Sequence, residues 1–300
     1  MSAPDTMSNL LASDSEAFDT CSSRLLACPV CRSSNWHPAL SVRRAPLSCC
    51  AQCGLLATTS FVTGAKTLSQ LYDVDAENLA VYRKQYLPHR VAFYSRFLSH
   101  LERFRQTGRL LEVGSGYGFF LEMASQARWD CEGVEISAFC CQIARQRGCK
   151  VWEGELADAG LRAGTFDVVV LWDVIEHFVA PDEIIRCCCA LLRQGGALVM
   201  RTPDARALAP TLQPARAAYK HLAYPANTAE HVFHFTPRDL SAIVTRLGFK
   251  SYEVDFERPW RERVISGNHS LVRACRSLIM RYAHWRGWPY EFVLTAVKAD

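Results

Sequence analysis

Two cysteine knuckles, Cys28-Pro-Val-Cys31 and Cys50-Ala-Gln-Cys53, stand eighteen residues apart near the start of the chain. Two-residue spacing lets a pair of thiolates converge on one tetrahedral ion, and the loop between the pairs is of zinc-ribbon length. Four thiolates leave no open position for water, so the role predicted for Cys28, Cys31, Cys50 and Cys53 is structural. Cys49 is an alternative third ligand. Gly54 relaxes the backbone behind the last thiolate. A segment of about 35 residues buries too little surface to fold unaided, so metal would supply much of its stability. Cys187, Cys188 and Cys189 are consecutive, cannot all face one ion, and read as small apolar fillers.

A second constellation begins at Leu110-Leu111-Glu112-Val113-Gly114-Ser115-Gly116-Tyr117-Gly118-Phe119-Phe120, an apolar strand, a tight glycine turn and a helix start. Glycines there let a ligand approach the backbone, and the helix offers unpaired N–H groups to a negative group. Further on, Gly133-Val134-Glu135-Ile136 puts a carboxylate at the end of the next strand, where it can bind both hydroxyls of a ribose. The two together predict a nucleoside cofactor. The Gly-x-Gly-x-Gly spacing departs from the Gly-x-Gly-x-x-Gly of nicotinamide enzymes.

Histidines supply the third group. His177 follows Glu176 after the strand at Phe166, and His231 and His234 precede a helix start in which Thr236 caps, Pro237 enters the first turn and Asp239 completes a capping box. Their ordinary pKa lies near working pH, so each is a candidate base, His231 first; a local structural role stands beside this for all three.

The elements that must hold these groups alternate. Arg109 to Val113, Cys131 to Ile136, Val151 to Trp152, Phe166 to Leu171 and Ala197 to Arg201 read as strands separated by helical stretches, with two more at Phe249 to Phe256 and Glu291 to Val297. Such repetition predicts an α/β fold, a parallel sheet with helices on both faces. A helix is expected from Leu68 to Phe104, with Val91, Tyr94, Phe97, Leu98, Leu101 and Phe104 on its packing face. The expected organisation is a disordered leader over 1–24, a zinc-ribbon-like domain over 25–60, a helical linker and lid over 61–105, and a cofactor domain over 106–300. Tyr72, Tyr82 and Tyr86 are candidate lid residues. From Arg261 to Trp288 six arginines face one acid, which reads as a surface helix with an apolar side.

Composition sets the outer bounds. With 300 residues, 33.7 kDa and 49% hydrophobic residues the chain has material for a large core, which excludes a wholly disordered protein. A formal charge of +4 is too balanced to mark a dedicated nucleic-acid binder. The absence of a long apolar run and of a basic-apolar leader predicts a cytoplasmic protein whose cysteines are thiols or metal ligands.

In order and spacing, Leu110 to Gly118, Gly133 to Ser137, Phe166-Asp167-Val168-Val169-Val170-Leu171-Trp172-Asp173-Val174-Ile175-Glu176-His177 and Leu191 to Met200 resemble the class I S-adenosylmethionine-dependent methyltransferases, more closely the group with the ubiquinone-biosynthesis and small-molecule enzymes. The resemblance covers roughly residues 90–255. It implies a doubly wound, seven-stranded, mostly parallel sheet with the last strand antiparallel, and S-adenosylmethionine across the carboxyl edge. It further implies that Gly114, Gly116 and Gly118 line the methionine part, that Glu112 braces the turn, that Glu135 holds the ribose, that Glu155 lies near the adenine, and that Trp172 is a cofactor-binding residue. A ribbon ahead of such a fold is similar to some sugar-modifying and RNA-base methyltransferases. The expected activity is methyl transfer to oxygen or carbon of a small metabolite. An RNA-base methyltransferase and a non-catalytic, zinc-ribbon binding protein are the alternatives; the Asn/Asp-Pro-Pro-aromatic segment of base-amine enzymes is missing, and oligomeric state is open.

Overall fold

The computed structural model describes residues 26–42, 45–62, 75–208, 230–257, 278–279, 281–288 and 290–299. The expected leader, Tyr72 and most of the arginine-rich segment lie outside them. Trp36–Val42 (β1) and Ala45–Cys50 (β2) pair antiparallel, with a register shift between Pro38 and Ser41, and Leu56–Thr58 (β3) adds to β2. Asp75 then caps a helix, Ala76–Val81 (α1), through a capping box with Asn78; one π-helical turn, Tyr82–Tyr86, leads into Leu87–Leu101 (α2). The buried face of α2 is Phe93, Tyr94, Phe97, Leu98 and Leu101. Val91, expected on that face, is exposed instead, because the helix presents the row beginning at Arg90.

The alternating part follows as Arg109–Val113 (β4), Phe119–Gln126 (α3), Asp130–Glu135 (β5), Ala138–Gln146 (α4), Lys150–Glu153 (β6), Phe166–Trp172 (β7), Pro181–Leu191 (α5) and Leu192–Pro203 (β8). Phe233–His234 (β9), Pro237–Arg246 (α6), Phe249–Glu257 (β10) and Glu291–Lys298 (β11) complete it. Seven strands form one sheet in the order β10-β11-β8-β7-β4-β5-β6. β11 runs antiparallel to both neighbours, whereas the pairs among β4 to β8 are parallel. This is the seven-stranded, mostly parallel sheet with an antiparallel last strand that the motifs imply. Every residue of β7 is buried, as a central parallel strand covered on both faces requires.

One buried acid fixes the start of the first parallel strand. Asp167 accepts the N–H groups of Gln106, Thr107 and Gly108 at 2.7–2.8 Å and pairs with Arg193. These bonds, with the Arg193 charge, offset its burial and hold its carboxyl below the usual aspartate range.

The remaining sheet has an unexpected member. Its order is β1-β2-β3-β9, so the cysteine-bearing hairpin is completed by a strand from far along the chain, with Leu56 opposite His234 and Ala57 opposite Phe233. Trp36 packs on Phe233 at 6.4 Å between ring centroids, and Cys28, Cys50, Leu55, Ala57 and Phe61 share one core with Ile185, Cys188, Phe233 and Phe235. Cys188 is fully buried there, in keeping with the filler reading. At the far end, Leu278 and Tyr282 are exposed and Ala283 and Trp288 are buried.

Candidate active site

The chain reverses between β4 and α3 through three glycines, all with positive φ, but only one of them faces open space. A Cβ on Gly114 would come within 2.6 Å of Val174, and one on Gly118 within 2.8 Å of the Ala144 Cβ and 3.1 Å of the Cys149 sulfur. Packing alone therefore demands glycine at those two positions. Over Gly116, at φ +50°, nothing lies within 4 Å. A Gly118→Ala variant should lose about 2 kcal/mol of stability, from the clash and the left-handed backbone together, whereas Gly116→Ala should lose about 1 kcal/mol and express its main effect as weaker cofactor binding. Thermal denaturation beside titration calorimetry separates the two.

Acids surround this turn. Glu135, at the end of β5, accepts the Gly116 N–H at 2.8 Å with one oxygen and the Ser137 N–H at 2.9 Å with the other, so it braces the turn directly. Burial pushes its carboxyl up against those donors. Each oxygen retains a lone pair that a ribose hydroxyl can use. Glu112, at the end of β4, is buried, and one of its carboxylate oxygens has no partner; burial first, and the Glu135 charge second, push its carboxyl well up, with Arg90 opposing. Glu155 is exposed two residues past the end of β6, and the Gly154 N–H reaches the Glu135 carbonyl at 2.9 Å, so both acids end neighbouring strands. Tyr82 lies on this side as well, with its ring 5.4 Å from that of Tyr117 and 5.6 Å from that of Phe119. Tyr86 stacks on Tyr82 and is 43% exposed.

Trp172 is placed otherwise than on the cofactor turn. Its ring sits among Phe93, Tyr94, Phe97 and Phe120, between α2 and the sheet. Next to it the sequence reading missed an ionic cluster. Asp173, at φ +56°, pairs with Arg90 and Arg201, and Arg201 pairs with Glu291. Arg90 shares a helical face with Phe93, Tyr94 and Phe97 at spacings of three, four and seven, and a lone basic residue on an apolar stripe is the signal that marks it.

Beyond Asp173 the chain turns through Val174, which packs on Gly114, into a 3-10 turn, Ile175–His177. His177 Nδ1 is 3.2 Å from the Glu230 carbonyl; a carbonyl only accepts, so Nδ1 carries the proton and Nε2 the lone pair. Its ring meets that of His231 edge to face at 4.8 Å. Burial lowers both histidines below the usual range, with the charges of His177 and His234 adding to the effect at His231, so both are neutral at pH 7. Glu176 is fully buried, without a well-formed hydrogen bond to either oxygen; burial, then Asp173, push its carboxyl up to about 8. Glu176, His177 and His231 offer one ligand atom each within 4.8 Å of one another, donors that suit a proton relay or a divalent cation. His234 is apart from this function: it lies on β9, fully buried, with Nε2 3.0 Å from Thr58 Oγ1, and burial takes it down to about 3.

The raised carboxyl of Glu176 fixes a sign. Its protonated form is favoured by the fold, so its stability contribution is complete below the ordinary glutamate pKa and is lost as pH rises towards 8. A neutral Glu176→Gln variant should be more stable than the parent at pH 8, by about 1 kcal/mol, and no more stable at pH 4, as read from urea midpoints at the two pH values.

At the other end of the ribbon, the sulfurs of Cys28, Cys31, Cys50 and Cys53 lie within 4.8 Å of one another, with Cys28 3.4 Å from Cys53 and Cys31 3.5 Å from Cys50. Tetrahedral zinc with bonds of about 2.3 Å separates its sulfurs by about 3.8 Å, so the four thiols fit the ion. Cys49 is not among them, because alternation along β2 turns it away from Cys50. Burial pushes Cys53 up to about 11; at Cys50 burial acts the same way but is outweighed by the N–H groups of Cys53 and Gln52 and the Cys31 thiol, which bring it to about 7.

A sequence profile of the family described as "Methyltransferase domain" matches residues 82–254, more than half of the chain and the whole of the glycine turn, its acids and the His177 and His231 segments. The chain belongs to the class I S-adenosylmethionine-dependent methyltransferases. Among relatives of this methyltransferase is a "Ubiquinone biosynthesis O-methyltransferase" of Xanthomonas axonopodis pv. citri, 27% identical over 166 residues, or 52% of this chain and 69% of the relative. One of the same description from Bordetella avium is 27% identical over 154 residues, or 48% and 63%. A solved S-adenosylmethionine-dependent methyltransferase from Archaeoglobus fulgidus has the same fold at a TM-score of 0.54 and 19% identity, covering 75% of this chain and all of the other. Phosphoethanolamine N-methyltransferase 2 of Haemonchus contortus, solved with S-adenosyl-L-methionine, matches at 0.50 and 18%, covering 69% and 53%. Among the described residues, no helix of the methyltransferase is long and apolar enough to cross a membrane.

Proposed function

We propose that this methyltransferase alkylates an oxygen or carbon of a small metabolite, with the His177–His231 pair taking the acceptor's proton. The observation that carries the reading is the edge-to-face contact of half-buried His177 with buried His231 at the carboxyl end of β7, held beside the glycine turn by the contact of Val174 with Gly114. The relatives described as O-methyltransferases support the same class of acceptor.

S-adenosylmethionine supplies an activated sulfonium methyl, so the protein's part is to bind, orient and exclude water. The residues present fit it. Glu112 offers an unpartnered buried oxygen for an ammonium, Gly116 an open approach to the backbone, and Glu135 lone pairs for ribose hydroxyls. Nε2 of His177 carries the lone pair that receives a proton as the acceptor atom becomes nucleophilic. Four thiolates, Cys28, Cys31, Cys50 and Cys53, would hold a structural zinc.

The test offers methyl-labelled S-adenosylmethionine with a catechol, a nucleotide-linked hexose and bulk RNA. Label should enter a small-molecule acceptor, with Kd for the cofactor unchanged and transfer slowed in His231→Asn. Burial holds both histidines below their ordinary pKa, so the base form persists at neutral pH and the rate should fall only at pH values below the ordinary histidine range. Label confined to RNA, or none with any acceptor despite cofactor binding, would overturn the reading.

A further inference from the structure

The segment that carries His231 is bonded on both sides. The Val232 N–H donates to the Glu176 carbonyl at 2.8 Å, on the cofactor domain, while the Val232 carbonyl accepts the Thr58 N–H at 3.0 Å, on the ribbon. Residues Phe233 and His234 then close the ribbon's sheet against β3. Thr58 makes two further bonds: its Oγ1 lies 2.6 Å from the His231 carbonyl and 3.0 Å from His234 Nε2. A threonine hydroxyl has one proton, and the carbonyl can only accept, so that proton goes to His231. The hydroxyl must then accept from His234, which fixes His234 as the neutral tautomer protonated at Nε2. His234 in turn lies 5.9 Å from the His231 ring, and His231 4.8 Å from His177.

The opposite end of the ribbon is clamped independently. Arg246 on α6 donates to the carbonyls of Pro29, at 2.7 Å, and Val30, inside the first knuckle, and Arg32 pairs with Asp182 at the start of α5. The four sulfurs therefore sit between a clamp on the helices and a hydroxyl that grips the histidine segment. β3 is only three residues long and begins three residues after Cys53. Its position is set by whatever sets the second knuckle.

We propose that Thr58 is a positioning residue for the acceptor side, and that the metal-loaded ribbon holds His231 against His177 through it. The inference rests on the reading that these histidines face the acceptor, but the coupling itself is measurable with no acceptor present. Zinc enters only through the fit of the four thiols described above.

The experiment uses the full chain. Long-range nitrogen–proton spectra of the zinc-loaded protein should show His234 protonated at Nε2. Thr58→Val should lose that signature and Thr58→Ser should retain it, a rescue that a purely space-filling threonine would not show. Hydrogen exchange of the amides at 231–234 should speed up by about ten-fold in Thr58→Val, and equally when zinc is removed by a chelator, while Kd for S-adenosylmethionine changes less than about two-fold. Exchange at 231–234 that is unmoved by both treatments would overturn the proposal, as would a Thr58→Ser variant indistinguishable from Thr58→Val. If the coupling is observed but His231→Asn transfers methyl as fast as the parent, the catalytic assignment falls and the mechanical link stands.

Discussion

Glu112→Gln is expected to bind S-adenosylmethionine about 100-fold more weakly than the parent chain and yet to melt at a higher temperature when no cofactor is present. Both effects have one origin. The Glu112 carboxyl is buried at the end of β4, one oxygen lacks a partner, and burial with the neighbouring Glu135 charge drives its pKa well up. A group raised in the folded state contributes full stability below its unfolded pKa and loses it as pH climbs, so the penalty in the cofactor-free chain grows from mild acid towards neutrality. An amide of the same shape removes that penalty. It also removes the charge that an α-ammonium would meet, and a buried charge-assisted hydrogen bond is worth about 2–3 kcal/mol. Melting curves at pH 5 and pH 8, with calorimetric titration of the cofactor, read both halves. A variant that binds normally would show that the ammonium lies elsewhere.

Loss of the zinc proposed at the four thiols should be the most damaging single treatment. Cys28→Ser is expected to lower metal content from one zinc per chain to none and the melting temperature by about 10 °C. The loss reaches beyond the ribbon because Cys28 and Cys50 belong to the same core as Leu111, Val113 and Leu171 under the cofactor sheet. A colorimetric zinc assay with calorimetric melts checks it. Cys49→Ser is the control: its sulfur points away from the four, and it should keep the metal and melt within about 2 °C of the parent. If Cys49→Ser loses zinc and Cys50→Ser does not, the third ligand has been misassigned.

How far the sequence could be read depended on how local each determinant is. The seven strands of the main sheet fall within a few residues of their expected positions, because continuous apolar runs such as Phe166–Trp172 and glycine-marked turns are short-range signals. The capping box at Thr236 and Asp239 appears as its spacing predicts. Two of the three turn glycines answer to packing rather than to a ligand: Gly114 and Gly118 meet Val174 and Ala144, side chains distant in sequence, and of the three only Gly116 is open to a ligand. Trp172 and His234 stood inside functional-looking motifs, yet one fills the space under α2 and the other completes a sheet. No periodicity within a window could have paired Leu56 with His234, since register between such remote strands is decided by the folded whole. The Arg90–Asp173–Arg201–Glu291 cluster was similarly hidden, because its members come from α2, the turn after β7, β8 and β11.

The late arrival of β9 has a consequence for synthesis on the ribosome. The knuckles emerge early and can take up metal at once, but the outer rim of β3 stays unmatched until His234 has left the exit tunnel. Throughout that interval the nascent hairpin presents a bare edge to other chains, so chaperone capture and cotranslational aggregation should concentrate on this stretch of translation.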